Sequence, residues 1–277
     1  MTAAAIVIDL DPNLFQLGPF MITWHGVFSV LGILAAARLG AVLASRDGIP
    51  PQRIYDAAVW MVVAGLIGAR LLFVWEHYSA YAAQPWRIVA IAEGGISQWG
   101  GLYGAMAGAY LWAWRHHVPF SRMLDAGGPA TLIGLAVGRI GDVINGEHHG
   151  TPTNLPWGVQ YVNEHTLGEM GKVVHPEVAY ELLWCLFLLG LLMPFHERLK
   201  AGLPAGASGL LYLAVYAAGR FFLSFLRTDP AVFLGLRQAQ LASLLMVLVA
   251  LVLIPWLVRR RRGAGAAGPT PAPPARA

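Results

Sequence analysis

Five charged side chains stand inside stretches that are otherwise apolar: Arg70, Arg139, Asp142, Glu181 and Arg220. If those stretches cross a bilayer, each charge costs about 2.5–3.5 kcal/mol at a helix centre. They persist only with partners or a wet cavity. Two chemistries fit. Arg139 and Asp142 are three residues apart, share a helical face and can pair as an internal salt bridge. The count allows more, because three arginines stand against Asp142 and Glu181, with Glu147 just beyond. An anion would balance such a set. Guanidinium forks grip phosphate through paired hydrogen bonds, and the abundant phosphate of a bilayer is the lipid head group. That chemistry requires Arg139 and Arg220 to meet, and not to be each fully neutralised by carboxylates with no cavity between them.

The elements that must hold these residues are helices. Of 277 residues, 57% are apolar and only 12% charged, and the mean hydropathy is +0.56. A soluble domain carries about 25% charged residues, so a soluble enzyme is set aside. A crossing helix needs about 20 apolar residues. Candidates lie at 20–44, 54–75, 98–115, 124–144, 178–195, 207–227 and 238–258. The fold class is therefore all-α: a polytopic membrane protein with about seven transmembrane helices. Glycine and polar residues weaken the third and fourth.

Lys/Arg bias sets the orientation. Arg46, Arg53, Arg115, Arg122, Arg198, Lys200 and the block Arg259–Arg262 fall on one side, against Arg87, Lys172, Arg227 and Arg237. The first set is expected to be cytoplasmic, with the N-terminus outside and the C-terminus inside. Residues 1–18 carry Asp9 and Asp11 and no basic n-region, so the first apolar run is expected to stay in the mature protein. A single membrane-embedded domain is expected over 1–262. Within it, 145–177 forms a small extracytoplasmic cap containing Trp157, Tyr161, Glu164, His165 and Glu169. Residues 263–277, mostly Gly, Ala and Pro, are expected to be a disordered tail.

Other chemistries find little support. The lone Cys185 sits in an apolar run and reads as a small buried residue. The net charge of +4 includes the Arg259–Arg262 block after an apolar run, which is a membrane flank. With no basic groove interleaved with aromatics, nucleic acid is not an expected partner. The pairs His116-His117 and His148-His149 lack metal-ligand spacing, so no metal is expected. Gly134 and Gly138 are spaced for tight helix contact. Neither they nor the clusters Gly94-Gly95 and Gly100-Gly101 form a phosphate loop or dinucleotide fingerprint.

The segment Gly138-Arg139-Ile140-Gly141-Asp142-Val143-Ile144-Asn145-Gly146-Glu147-His148-His149-Gly150 resembles the signature of the prolipoprotein diacylglyceryl transferases, Gly-Arg-x-Gly-Asn-Phe-x-Asn-x-Glu-x-x-Gly. Further segments agree in order. Trp24-His25-Gly26 resembles the family's Trp-Tyr-Gly, and Gly68-Ala69-Arg70 its Gly-(Gly/Ala)-Arg. The run from Gly94 to Leu102 resembles Gly-Gly-Met-Ser-x-His-Gly-Gly-Leu. His175-Pro176 with Tyr180-Glu181 resembles His-Pro-x-x-x-Tyr-Glu, and Arg220 falls on the arginine of the sixth helix. The resemblance spans about residues 16–258.

It implies a seven-helix enzyme of the bacterial plasma (inner) membrane. Such an enzyme moves diacylglyceryl from phosphatidylglycerol to the lipobox cysteine of a preprolipoprotein signal peptide, without metal or organic cofactor. By carry-over, Arg139, Arg220, Glu147 and His25 are the catalytic set. Arg139, Asn145, Arg70, Gly141, Tyr180 and Glu181 bind substrate. The chain departs from the pattern at Trp99, where the family has histidine, at His25 for tyrosine, at Asp142 for asparagine, and at Glu177-Val178 for Ser-Gln. Indole accepts no proton, so His25 is expected to take the base role, since a neutral imidazole does general-base work near pH 7. Two other readings stay open. One is a divergent paralogue that binds phospholipid with weak transfer or another acceptor; the other is a transporter or channel, which would carry charge along a through-path.

Overall fold

The computed structural model describes residues 5–18, 20–82, 84–90, 94–147 and 149–266. The long helices begin and end where local chemistry allows. Helix α1 (Trp24–Arg46) starts at Thr23, whose hydroxyl accepts from the Gly26 amide at 3.2 Å. Helix α2 (Pro51–Glu76) opens on proline, whose missing N–H is an orphan at that position anyway. A short α3 (Tyr78–Ala82) leads to α4 (Gln98–Arg115). Helix α5 (Phe120–Asn145) ends at Gly146, which takes the left-handed conformation with φ of 75°. Then come α6 (Glu177–Leu192), the short α7 (His196–Gly202), α8 (Ala207–Leu223) and α9 (Gln238–Ala266).

The chain is mostly helical, as expected, and its long helices fall on the seven segments anticipated. Five of the described helical spans are long and apolar enough to cross a membrane; α4 and α5 are not among them. Glycine and the charges at 122, 125, 139 and 142 lower their apolar content. The pattern did not foretell the strands, each only two to five residues long. Strands β1 (Ile6–Ile8), β4 (Val159–Tyr161) and β5 (Val173–Val174) form one sheet in the order β1-β4-β5. Two hairpins join β2 (Asn13–Leu17) to β3 (Phe20–Thr23), and β6 (Ala231–Phe233) to β7 (Leu236–Arg237). Helix α9 continues to residue 266, four residues into the segment expected to be unstructured. The rest of that tail, from 267, lies outside the described residues, as does His148.

Helix α1 packs along α5, and α2 along α4. Both seams use missing side chains. A Cβ on Gly100 would overlap the Gly68 carbonyl, and one on Gly104 the Ala64 carbonyl. A Cβ on Gly134 would lie 3.0 Å from Ala36 Cβ, as the small-residue spacing anticipated, whereas one on Gly138 would meet nothing within 4 Å. Since overpacking costs about 1–3 kcal/mol, Gly100→Ala is expected to lower the midpoint of thermal unfolding in detergent micelles. An unchanged midpoint would show that the α2–α4 seam can open freely.

Apolar side chains fill the end opposite the cap. Leu43, Trp112 and Ile49 are buried there. Around them lie Arg46 paired with Glu197 at 3.1 Å and Lys200 with Asp47 at 2.6 Å. The free Cys185 is buried against Leu132, Leu188 and Tyr212, the apolar role its setting suggested.

Candidate active site

At the other end, α5, α6 and α8 bring charged side chains into one buried network. Late in α5, Arg139 places Nη1 2.5 Å from Asp142 Oδ2, one turn on. Its Nη2 reaches 3.0 Å to the carboxylate of Glu181 in the first turns of α6. Arg220, near the end of α8, approaches the same carboxylate at 3.0 Å and also pairs with Glu177. The Tyr216 hydroxyl, one turn before Arg220, donates to Glu181. Arg227 lies 3.5 Å from Glu177 and pairs with Asp229. Glu181 is fully buried, so its charge exists there only because two guanidiniums and a phenol face it.

The meeting of Arg139 and Arg220 agrees with the sequence argument. The charge count does not. Glu177 and Arg227 were outside it, and with them Arg139, Arg220 and Arg227 each have a carboxylate partner. The expected excess of cation is absent among the described residues. Helical spacing could have revealed Glu177, four before Glu181, and Tyr216, four before Arg220. Nothing local marked Arg227, because a turn of 3-10 helix at Ser224–Leu226 intervenes.

At the outer edge of this network stands His25, in the first turn of α1, with its side chain 43% exposed. Its Nδ1 lies 2.5 Å from Asp142 Oδ1, on the oxygen that Arg139 does not take. Two departures from the family pattern, 117 residues apart, therefore touch. Nε2 is 3.5 Å from Ser29 Oγ, the far limit of a hydrogen bond. Gly141 makes this approach possible: a Cβ there would sit 2.8 Å from His25 Cα. Its place is in the helix seam.

Glu147 Oε1 lies 3.5 Å from His25 Nδ1 and accepts from Asn145 Nδ2 at 2.9 Å. Nitrogen and carboxylate atoms of His25, Asp142 and Glu147 lie within 4.8 Å of one another, close enough for a cation. However, ligands on one zinc at bonds of about 2.0–2.1 Å stand about 3.3 Å apart. The 2.5 Å between Nδ1 and Oδ1 is a hydrogen bond.

The remaining candidates fall outside the network. Arg70, in α2, donates to the carbonyls of Ile88 at 2.8 Å, Gly94 at 2.6 Å and Gly95 at 2.7 Å, and to those of Arg87 and Ala90. It clamps the loop before α4. Trp99, at the start of α4, packs on Tyr103 with ring centroids 6.1 Å apart. Tyr180 takes a 2.8 Å hydrogen bond from Trp157 Nε1, and its hydroxyl lies 3.4 Å from His175 Nδ1.

Segments of 149–176 lie against the ends of α5 and α8 that hold the network. The Leu167 amide donates to the Asn145 carbonyl at 2.9 Å, and the Thr151 amide to the Leu226 carbonyl at 2.7 Å. The hydroxyl of Tyr161 donates to the Val143 carbonyl at 2.8 Å, and burial pushes its phenol up to about 12. A cavity beneath is lined by Val143, Gly146, Glu147, His175 and Glu177.

Glu181 joins two helices' arginines, so its neutralisation should be costly. Breaking a buried ion pair costs about 3–5 kcal/mol. Glu181→Gln is expected to lose stability on that scale, measured by denaturant unfolding in micelles. A loss below about 1 kcal/mol, the worth of an exposed pair, would show that water already screens the network.

These features define a multi-pass membrane protein with a buried ionic site gathered at one end of its helices. The family model for prolipoprotein diacylglyceryl transferase matches residues 12–256. A relative from Trichormus variabilis, named phosphatidylglycerol–prolipoprotein diacylglyceryl transferase, is 34% identical over 256 residues, covering 91% of each chain. Proteins of the same name from Synechococcus elongatus and Mycobacteroides abscessus are 35% and 32% identical, over 91% and 94% of this chain and 89% and 80% of theirs. The chain belongs to the prolipoprotein diacylglyceryl transferase family, an enzyme family.

Proposed function

We propose that this protein transfers the diacylglyceryl group of phosphatidylglycerol to the lipobox cysteine of a preprolipoprotein signal peptide. It would work in the bacterial plasma membrane, with the site at the outer leaflet, the N-terminus outside and the C-terminus in the cytoplasm. The basic residues Arg46, Arg53, Arg122 and Lys200 at the opposite end of the helices support that orientation. Residues 1–262 act as one domain, with 145–177 as its cap.

In the reaction, the cysteine sulfur forms a bond to a glycerol carbon. The bond from that carbon to the phosphate oxygen breaks, and glycerol phosphate leaves with the electron pair. Arg139 and Arg220 stabilise the charge that grows on the phosphate. To do so they must exchange part of their carboxylate contact for the lipid's. His25 accepts the thiol proton at Nε2, raising the thiolate fraction. Asn145 and Glu147 orient the head group from the end of α5, and Tyr180 meets the substrate from α6. Glu181 holds the two arginines together, Gly141 admits α5 to α1, and Arg70 contributes through the loop it clamps.

The observation that carries this reading is the meeting of two guanidiniums from different helices on one buried carboxylate, beside a half-exposed imidazole. A channel or transporter would string such charge along a path; here it gathers at one end. The test is incubation of the purified protein with labelled phosphatidylglycerol and a lipobox peptide. A labelled thioether with release of glycerol phosphate is expected. No transfer, together with failure to support growth of cells depleted of their own transferase, would leave the paralogue with another acceptor in its place.

A further inference from the structure

We infer that Asp142 is a positioning residue that fixes the tautomer of His25 and couples this base to the phosphate-binding arginine; the inference rests on the transferase reading given above. The Asp142 carboxylate has two oxygens and divides them. Oδ1 lies 2.5 Å from His25 Nδ1, and Oδ2 lies 2.5 Å from Arg139 Nη1. An ionised carboxylate only accepts, so the neutral imidazole must carry its proton on Nδ1. Nε2 is then the nitrogen with the lone pair. It belongs to the half-exposed side chain and, among the described residues, has Ser29 Oγ near it at 3.5 Å.

Glu147 is the other group that could take Nδ1. It stands 3.5 Å away and is held by Asn145, so Asp142 has the shorter contact by about an ångström. The backbone fixes the arrangement as well, since α5 touches α1 at the Gly141–His25 contact. The seam therefore holds the backbones that carry the carboxylate and the imidazole close together.

The shared carboxylate has a consequence for order. While Arg139 is empty of lipid, it draws on the same carboxylate that steadies His25. When a lipid phosphate takes up Arg139 Nη1, Asp142 is left to the imidazole alone. Its charge then stabilises the imidazolium that forms as Nε2 takes the thiol proton. Lipid binding thereby strengthens the base before the thiol gives up its proton and attacks the glycerol carbon, so the lipid should bind productively first. No bond to Asp142 forms or breaks.

The test is a double-mutant cycle with Asp142→Asn and His25→Phe, read by initial rates of labelled transfer at saturating and limiting phosphatidylglycerol. Asp142→Asn is expected to lower kcat about 100-fold, toward the lower end of general-base contributions, with the KM for lipid within about twofold. In the His25→Phe background the same change should alter kcat less than about twofold, because the group through which it acts is gone. Asp142→Glu, which keeps the carboxylate, should recover part of the loss. An Asp142→Asn loss of the same factor in both backgrounds would mean that Asp142 serves only to neutralise Arg139, and would overturn the inference. So would an unchanged kcat.

Independently of turnover, ¹⁵N-labelled histidine, with the His25 signal assigned by its loss in His25→Phe, reports the tautomer. Nδ1–H is expected in the native protein and in Glu147→Gln, with Nε2–H gaining in Asp142→Asn. Nδ1–H persisting in Asp142→Asn overturns the inference. Native protein that transfers no diacylglyceryl would defeat the functional reading instead, while the tautomer still decides the pair.

Discussion

Arg139→Ala should lower kcat for diacylglyceryl transfer by about 10²–10³-fold, the effect of deleting a donor that stabilises transition-state charge. Arg139 contacts both halves of the site: Asp142, which holds His25, and Glu181, which holds Arg220. Alanine also leaves two buried carboxylates facing each other's charge, so it weakens the fold as well as the chemistry. Arg139→Lys separates the two effects. Lysine keeps the charge but offers no fork to span Asp142 and Glu181 or to grip two phosphate oxygens. It should restore most of the thermal midpoint while kcat stays at least about tenfold down. The measurements are initial rates with labelled phosphatidylglycerol and thermal unfolding in the same micelles. Full activity in Arg139→Lys would mean that a point charge suffices and that the bidentate phosphate contact is not made.

The second large effect is expected at His25. Substitution by phenylalanine removes the only nitrogen in the described network with a lone pair open to the outside, and keeps a ring of similar size against α5. Loss of a general base lowers rates by about 10²–10⁴-fold. Because His25 is half-exposed, the fold should tolerate the change, and the thermal midpoint should move little. A peptide whose thiol is already ionised needs no base, so raising the assay pH toward the cysteine's own ionisation, about 8.5, should narrow the gap between His25→Phe and the native protein. Equal rates for the two proteins near neutral pH would remove His25 from the mechanism and return the question to what stands near Trp99.

The amino-acid sequence by itself determined the solvent of this protein and the identity of its reactive groups. A 12% charged composition and long apolar runs left only a membrane, and the charges that survive inside such runs had to be partnered. From that cost alone Arg139, Asp142, Glu181 and Arg220 could be named, and all four meet. The long helices α1, α2, α4, α5, α6, α8 and α9 followed the same apolar runs, because a backbone without water must bond to itself. Short strands such as β1 and β4 left no trace in the sequence, since three residues carry no readable alternation and their pairing joins positions about 150 apart.

Tertiary structure decided which partner each charge takes. Arg70 looked equivalent to Arg139 along the chain, yet it spends its donors on loop carbonyls, because the chain after α2 folds back over it. Glu177 read as a cap residue and proved to be a partner of Arg220. His25 and Asp142 each read as an isolated departure; only the glycine seam between α1 and α5 brings them to 2.5 Å. Charge inside a membrane is legible residue by residue, because its cost is local. Pairing depends on which helices touch, and that is set by packing between segments far apart in the chain.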